Sequence, residues 1–102
     1  MQSDRRKHMR SLAYHQCASE KLRANPSLWD TVSEKLDHWS KIDSPSSNYW
    51  SKQWKDVIAQ SISLALQLMV EESERGERMR QSSPFPLLLS PAERLDISEK
   101  IV

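Results

Sequence analysis

The stretch Met79–Arg94, which reads MRQSSPFPLLLSPAER, decides where one helix ends and the next begins. Prolines flank Phe85 on both sides, and a residue that precedes a proline is disfavoured in the helical region. We therefore expect Ser83–Pro86 to be extended. Ser90–Glu93 then carries a helix start signal: a serine cap, a proline in the first turn and a glutamate three residues after the cap. The stretch predicts a helix end, a stiff apolar segment and a final helix.

Length and composition indicate one small helical domain. The chain has 102 residues, which suits a single domain, and it contains only one glycine. All-β folds need glycine in turns and bulges, so its scarcity favours helices. We predict an all-α fold of five to six helices, with an extended proline-rich segment before the last one. Residues 11–102 would form this domain, and residues 1–10 would be a flexible basic arm.

Apolar spacing predicts the individual helices. The first runs from about Ser11 to Ala24, the second from Asn25-Pro26 to about Ser40, and the third begins near Ser47 or Asn48. Residues 62–71 read as a buried helix after a kink near residues 61–63, and residues 71–81 read as its charged continuation. In the last helix, we expect Leu95 and Ile101 to face inward.

Charge is distributed unevenly along the chain. Residues 1–23 hold six basic and two acidic side chains, whereas residues 56–102 hold five basic and eight acidic ones. A basic arm can touch nucleic-acid phosphates, and it can equally be a solvated tail or dock to an acidic protein. The arm's candidate contacts are Arg5, Arg6, Lys7 and Arg10.

The sequence gives little support for a catalytic, metal-binding or cofactor-binding site. The histidines and the single cysteine are scattered, and no phosphate loop or nucleophile elbow is present. The glutamates of residues 71–77 alternate with arginines, as on a solvated helix face. We therefore predict a protein that is not an enzyme and needs no metal or cofactor. A lone cysteine, no signal peptide and no apolar run of roughly 20 residues predict a cytoplasmic protein without a membrane partner.

The segment Trp50–Lys55 alternates tryptophans with lysines, a pattern that also occurs in proteins that bind single-stranded nucleic acid. Trp50 and Trp54 are four residues apart and share a helix face with Val57 and Ile58. Core packing is therefore the favoured interpretation, and base stacking is the alternative.

Several segments resemble a set of small bacterial proteins. These segments are Ser11–Ala13, Glu20–Pro26, Trp50–Ile58, Glu74–Phe85 and Leu89–Arg94. In that set, a helix ends in an LRADP-like turn, a tryptophan helix follows, and the chain closes with RLRQSSPFAGVLSPRERW. The segments resemble the helical part of Xre-type regulators, which are often encoded beside a nucleotidyltransferase or another toxin-like partner. This sequence departs from the pattern in having no helix-turn-helix domain in front, Pro86-Leu87-Leu88 in place of Ala-Gly-Val, and Leu95 in place of an aromatic residue.

The resemblance implies a noncatalytic, antitoxin-like regulator that binds a cognate, toxin-like protein and holds it inactive, as in a toxin–antitoxin system. The alternative is a small nucleic-acid-binding regulator that uses the basic arm. Association of the chain with further copies of itself is left open by the sequence. Phe85 would anchor the partner, or it would instead seat the last helix on the core. The predicted partner-binding residues are Arg75, Arg78, Arg80, Ser82, Ser83 and Phe85.

Overall fold

A computed structural model describes residues 2–42 and 45–101, and every regular element in these two ranges is helical. This confirms the predicted all-α class. The elements are α1 (Gln2–Ala24), α2 (Leu28–Ser40), α3 (Pro45–Gln60), α4 (Ile62–Val70), α5 (Glu74–Gln81), a 3₁₀ helix (Phe85–Leu88) and α6 (Pro91–Lys100). The first helix packs against α2, α4, α5, the 3₁₀ helix and α6, so it lies at the centre of the assembly.

The first helix begins nine residues earlier than the sequence predicted. It starts at Gln2, so Ser11 lies inside the helix. The first ten residues contain no proline or glycine, and arginine, lysine, glutamine and methionine are good helix formers. The basic residues predicted to form an arm therefore continue α1.

Two serines begin the helices α4 and α5. Ser61 is extended, with φ −168° and ψ 126°, and its side chain accepts a hydrogen bond from the Leu64 N–H. This break confirms the kink predicted near residues 61–63. Ser73 accepts from the Gly76 N–H in the same way, after α4 has ended at Val70. The predicted continuous helix through residues 71–81 is therefore wrong, because a serine cap competes with helix propagation there.

Gly76 allows α5 to approach the end of α4. A Cβ atom at this position would lie 2.2 Å from the Glu71 carbonyl oxygen and 3.0 Å from Nη1 of Arg80. A contact of 2.2 Å to backbone is far inside van der Waals distance, so a larger residue would push the two helices apart. The glycine that lowers intrinsic helix stability is thus required by packing.

The segment around Phe85 forms a 3₁₀ helix and is not extended as predicted. Pro84 adopts φ −84° and ψ −9°, and its carbonyl accepts from the Leu87 N–H at 3.3 Å. Phe85 precedes Pro86, and a residue before a proline is disfavoured in the helical region. This preference is overcome here, because the fixed φ of Pro86 suits the first turn of a helix. In that turn the missing N–H of Pro86 would have no partner anyway.

An aromatic cluster lies at the centre of the core. The Phe85 ring meets Trp54 edge to face at 4.9 Å and lies 5.9 Å from Trp29 and 6.0 Å from His15. The Trp54 indole N–H donates to the Met79 carbonyl at 3.0 Å. Trp54 is fully buried, which confirms core packing for this residue. The other buried apolar residues are Ala18, Leu22, Val32, Leu36, Val57, Ala65, Leu68, Met69, Met79 and Leu89.

The last helix begins with the predicted capping box and lies along α1. Glu93 accepts from the Ser90 N–H at 2.8 Å and pairs with Lys21 at 2.9 Å. The backbone hydrogen bond and the lysine lower the pKa of Glu93 to about 2. Leu95 is 61% exposed, contrary to prediction, because Ile97 provides the apolar contact with the core. Ile101, also expected to face inward, is half-buried.

Candidate functional site

Phe85, the proposed partner anchor, has no exposed surface. Its ring is enclosed by aromatic side chains from three helices, so a partner could not reach it without opening the core. The structure therefore corrects the expectation of an exposed anchor. Phe85 seats the segment before α6 on the rest of the domain, which was the other role that the sequence left open.

Ser83 is likewise turned inward, towards a buried histidine. The Ser83 hydroxyl lies 2.5 Å from Nε2 of His15, and Nδ1 of His15 lies 2.6 Å from the Ser11 carbonyl oxygen. Since a carbonyl only accepts, Nδ1 carries the proton and Nε2 accepts from the serine. Burial lowers the pKa of His15 to about 4, so the ring is neutral near pH 7. This contact ties the chain after α5 to α1.

Arg80 is 5% exposed and caps the end of α4 from α5. Its Nη1 donates to the Glu71 carbonyl at 2.7 Å and approaches the Met69 and Leu68 carbonyls at 3.4 and 3.5 Å. The last carbonyls of a helix have no partner within the helix, and a cation there also suits the helix dipole. The structure thus gives Arg80 an internal role in place of the predicted exposed contact.

Replacing Arg80 with alanine is expected to lower the free energy of unfolding by about 2 kcal/mol, because the charge-assisted bonds to buried carbonyls are lost. The matched control is Arg78→Ala in the same helix. Arg78 is exposed and pairs with Glu74 at 2.6 Å, and exposed pairs of this kind contribute little. Urea unfolding of the two variants compares them directly. Equal losses would contradict the capping role of Arg80.

The remaining predicted arginines, Arg75 and Arg78, line a surface groove between α3 and α5. Its lining residues, which we call the tyrosine groove, are Tyr49, Trp50, Gln53, Glu74, Arg75, Arg78 and Met79, and they enclose about 360 Å³. The Tyr49 and Trp50 rings meet edge to face at 4.9 Å. Ser82, also predicted to bind the partner, is half-buried at the end of α5 and does not line this groove.

Tyr49 is the residue of this groove that the sequence interpretation missed. It is 56% exposed, although it lies beside the partly buried Trp50. A signal was present, because Tyr49 is four residues before Gln53 and seven before Asp56, on the polar side of α3.

The four basic residues predicted to contact nucleic acid lie on two opposite sides of α1. Arg5 and Lys7 line cavities between α1 and α5. Arg6 and Arg10 are four residues apart, so they share the other side, given 100° of rotation per residue. The structure brings Arg5 and Lys7 close to Arg80. Contact with nucleic acid stays a prediction for all four basic residues of α1.

Among the residues that the structure describes, no group of three or more histidine, cysteine, aspartate or glutamate side chains could hold a metal ion. No described helix has the length and apolar character needed to cross a membrane. Compared with protein-family models, curated proteins and solved structures, the chain shows no significant match. The resemblance to Xre-type regulators therefore stays a prediction.

Proposed function

We propose that the protein is a noncatalytic module that binds a cognate partner protein through the tyrosine groove. The observation that carries this proposal is the exposed Tyr49, held against Trp50 and bordered by Arg75 and Arg78. Tyrosine, tryptophan and arginine are the residues that most often dominate binding energy at protein interfaces. A preformed groove also binds at a lower entropic cost than a loop that must first become ordered.

The chemistry of the groove defines the partner segment that it would accept. Tyr49 and Trp50 offer an apolar wall, while the charged lining consists of two arginines and one glutamate. Arg78 is already paired with Glu74, which leaves Arg75 as the cation best placed for a new carboxylate. The proposed occupant is therefore a partner segment that carries an apolar side chain next to an acidic one.

An antitoxin-like role is the finer form of the proposal. Binding would hold a toxin-like enzyme inactive by covering a surface that the enzyme needs, and the bound module would contribute no catalytic group. The resemblance to Xre-type regulators supports this form.

The test begins with capture of a stoichiometric partner from the native host and reconstitution of the complex from purified proteins. We expect Tyr49→Ala and Arg75→Ala each to weaken the affinity by at least about tenfold, as interface anchors do. Leu95→Ala and Arg6→Ala are matched controls, because each removes an exposed side chain of similar kind from α6 or α1. The controls should leave affinity unchanged.

Co-expression tests the antitoxin-like form separately. The wild-type gene should relieve the toxicity of its partner, and Tyr49→Ala should fail to do so while remaining folded. Absence of a stoichiometric partner, or a partner whose affinity is unaffected by both groove substitutions, would contradict the proposal.

A further inference from the structure

A second concave surface lies between the first turns of α1 and the helix α5. It consists of two adjoining cavities, of about 410 and 520 Å³, which share His8, Glu77 and Arg80. Each cavity is large enough for a small organic ligand. We call this surface the α1–α5 groove. None of the residues assigned to the tyrosine groove lines it, so the two surfaces are independent.

Arg80 gives the groove a fixed cationic floor. Its side chain is 5% exposed, and all three of its hydrogen bonds to the end of α4 use Nη1. The guanidinium carries five N–H donors in a rigid plane, so anchoring at one nitrogen leaves others directed elsewhere. Arg80 lines both cavities, so part of its side chain borders the groove.

The α1 side of the groove adds mobile cations above this floor. Arg5 lies in one cavity and Lys7 in the other, and both side chains are exposed. A buried arginine together with a flexible arginine and lysine suits an anion with several oxygens, above all a phosphate group. Glu77 in the shared part and Glu72 in the cavity that holds Arg5 balance some of this charge, and both can accept hydrogen bonds from a ligand's hydroxyl or amino groups.

The groove is amphipathic along its length. The cavity that holds Arg5 also contains Met9, which is 48% exposed, and the half-buried Leu12. The cavity that holds Lys7 is instead completed by the polar Ser11 and Gln81. A free phosphate ion would leave the apolar end unused, whereas a flat apolar ring could pack against the methionine.

We propose that the α1–α5 groove binds a small phosphate ester with an attached ring, of the nucleoside monophosphate class. Its phosphate lies against Arg80, Arg5 and Lys7, and its ring packs against Met9 and Leu12. Glu77 accepts hydrogen bonds from the sugar or base. This gives the protein a ligand site that is separate from the surface for its partner protein.

Isothermal titration calorimetry of the full chain with adenosine monophosphate tests the proposal. Adenosine and inorganic phosphate serve as comparison ligands, and a short single-stranded oligonucleotide serves as a polymeric one. The informative variant is Arg5→Ala/Lys7→Ala. Its matched control is Arg6→Ala/Arg10→Ala, which removes the same charge from the opposite side of α1. Circular dichroism confirms that both variants stay folded.

We expect saturable one-to-one binding of adenosine monophosphate, weakened about tenfold or more by Arg5→Ala/Lys7→Ala and less than about twofold by the control pair. Adenosine and inorganic phosphate should each bind at least about tenfold more weakly, since each lacks one half of the recognised group. The proposal is overturned by absence of saturable binding, by equal losses in the two variant pairs, or by phosphate binding as tightly as the nucleotide. Tight oligonucleotide binding that depends equally on both pairs would also overturn it, in favour of nonspecific attraction to phosphate.

Discussion

Phe85→Ala is expected to lower the free energy of unfolding by about 3–5 kcal/mol, the largest effect of any single substitution considered for this chain. The ring is fully buried and contacts three other aromatic side chains, so its removal leaves a cavity that rigid neighbours cannot fill. Small domains have a total stability of roughly 5–15 kcal/mol, so the loss is a large share of the whole. Urea unfolding followed by tryptophan fluorescence measures it.

Leu95→Ala is the control for this substitution. Leu95 is also a large apolar residue near the C-terminal end, but it is 61% exposed, so its truncation should change stability by less than about 0.5 kcal/mol. A loss at Phe85 as small as the loss at Leu95 would mean that the ring does not hold the segment before α6 to the core. Phe85 would then return to consideration as a partner contact.

Stability should decrease as the pH falls from 7 to 5, through His15. Burial lowers the pKa of this histidine from 6.5 to about 4 in the folded state, so the unfolded chain takes up the proton first. The contribution of neutral His15 to the free energy of unfolding is therefore complete above pH 6.5, and it is lost as the pH falls towards 4. The full loss is on the order of 3 kcal/mol, and about 2 kcal/mol of it should appear by pH 5.

The variant His15→Gln separates this effect from the carboxyl groups. A glutamine amide can still donate and accept hydrogen bonds but does not titrate. The pKa of Glu93 is lowered to about 2, so its stabilising contribution disappears only as the pH falls below 4.5. Urea midpoints at pH 7 and pH 5 should differ clearly for the wild type and much less for His15→Gln. An equal pH dependence in both proteins would show that His15 is not buried in its neutral form.

Local signals in the sequence predicted some elements of this fold well. The capping box at Ser90, the proline after it and the break near Ser61 each depend on a few adjacent residues, so sequence patterns identify them directly. The core role of Trp54 followed from helical spacing for the same reason. Such local patterns do not predict contacts between residues that are far apart in the chain.

Residues whose role depends on distant parts of the chain were either misassigned, as Arg80 was, or given no role, as Tyr49 was. Arg80 resembles the exposed Arg78 in its sequence context. Arg80 becomes a buried cap only because the end of α4 packs beside α5. Gly76 is unfavourable for helix stability when the sequence is considered alone. The nearby Glu71 carbonyl explains why a glycine is required there. Tyr49 became a candidate contact because α5 places Arg75 and Arg78 across from it, a juxtaposition that periodicity within α3 does not contain.

Hydrogen–deuterium exchange of the reconstituted complex tests most directly the claim that the tyrosine groove, and not the segment around Phe85, meets the partner. We expect slower exchange on binding in residues 49–53 of α3 and 74–79 of α5, the two stretches that line the groove. Exchange in residues 85–89 should be unchanged, because that segment is already packed inside the domain. Slower exchange confined to residues 85–89 or to the first turns of α1, with α3 and α5 unaffected, would contradict binding of the partner at the tyrosine groove.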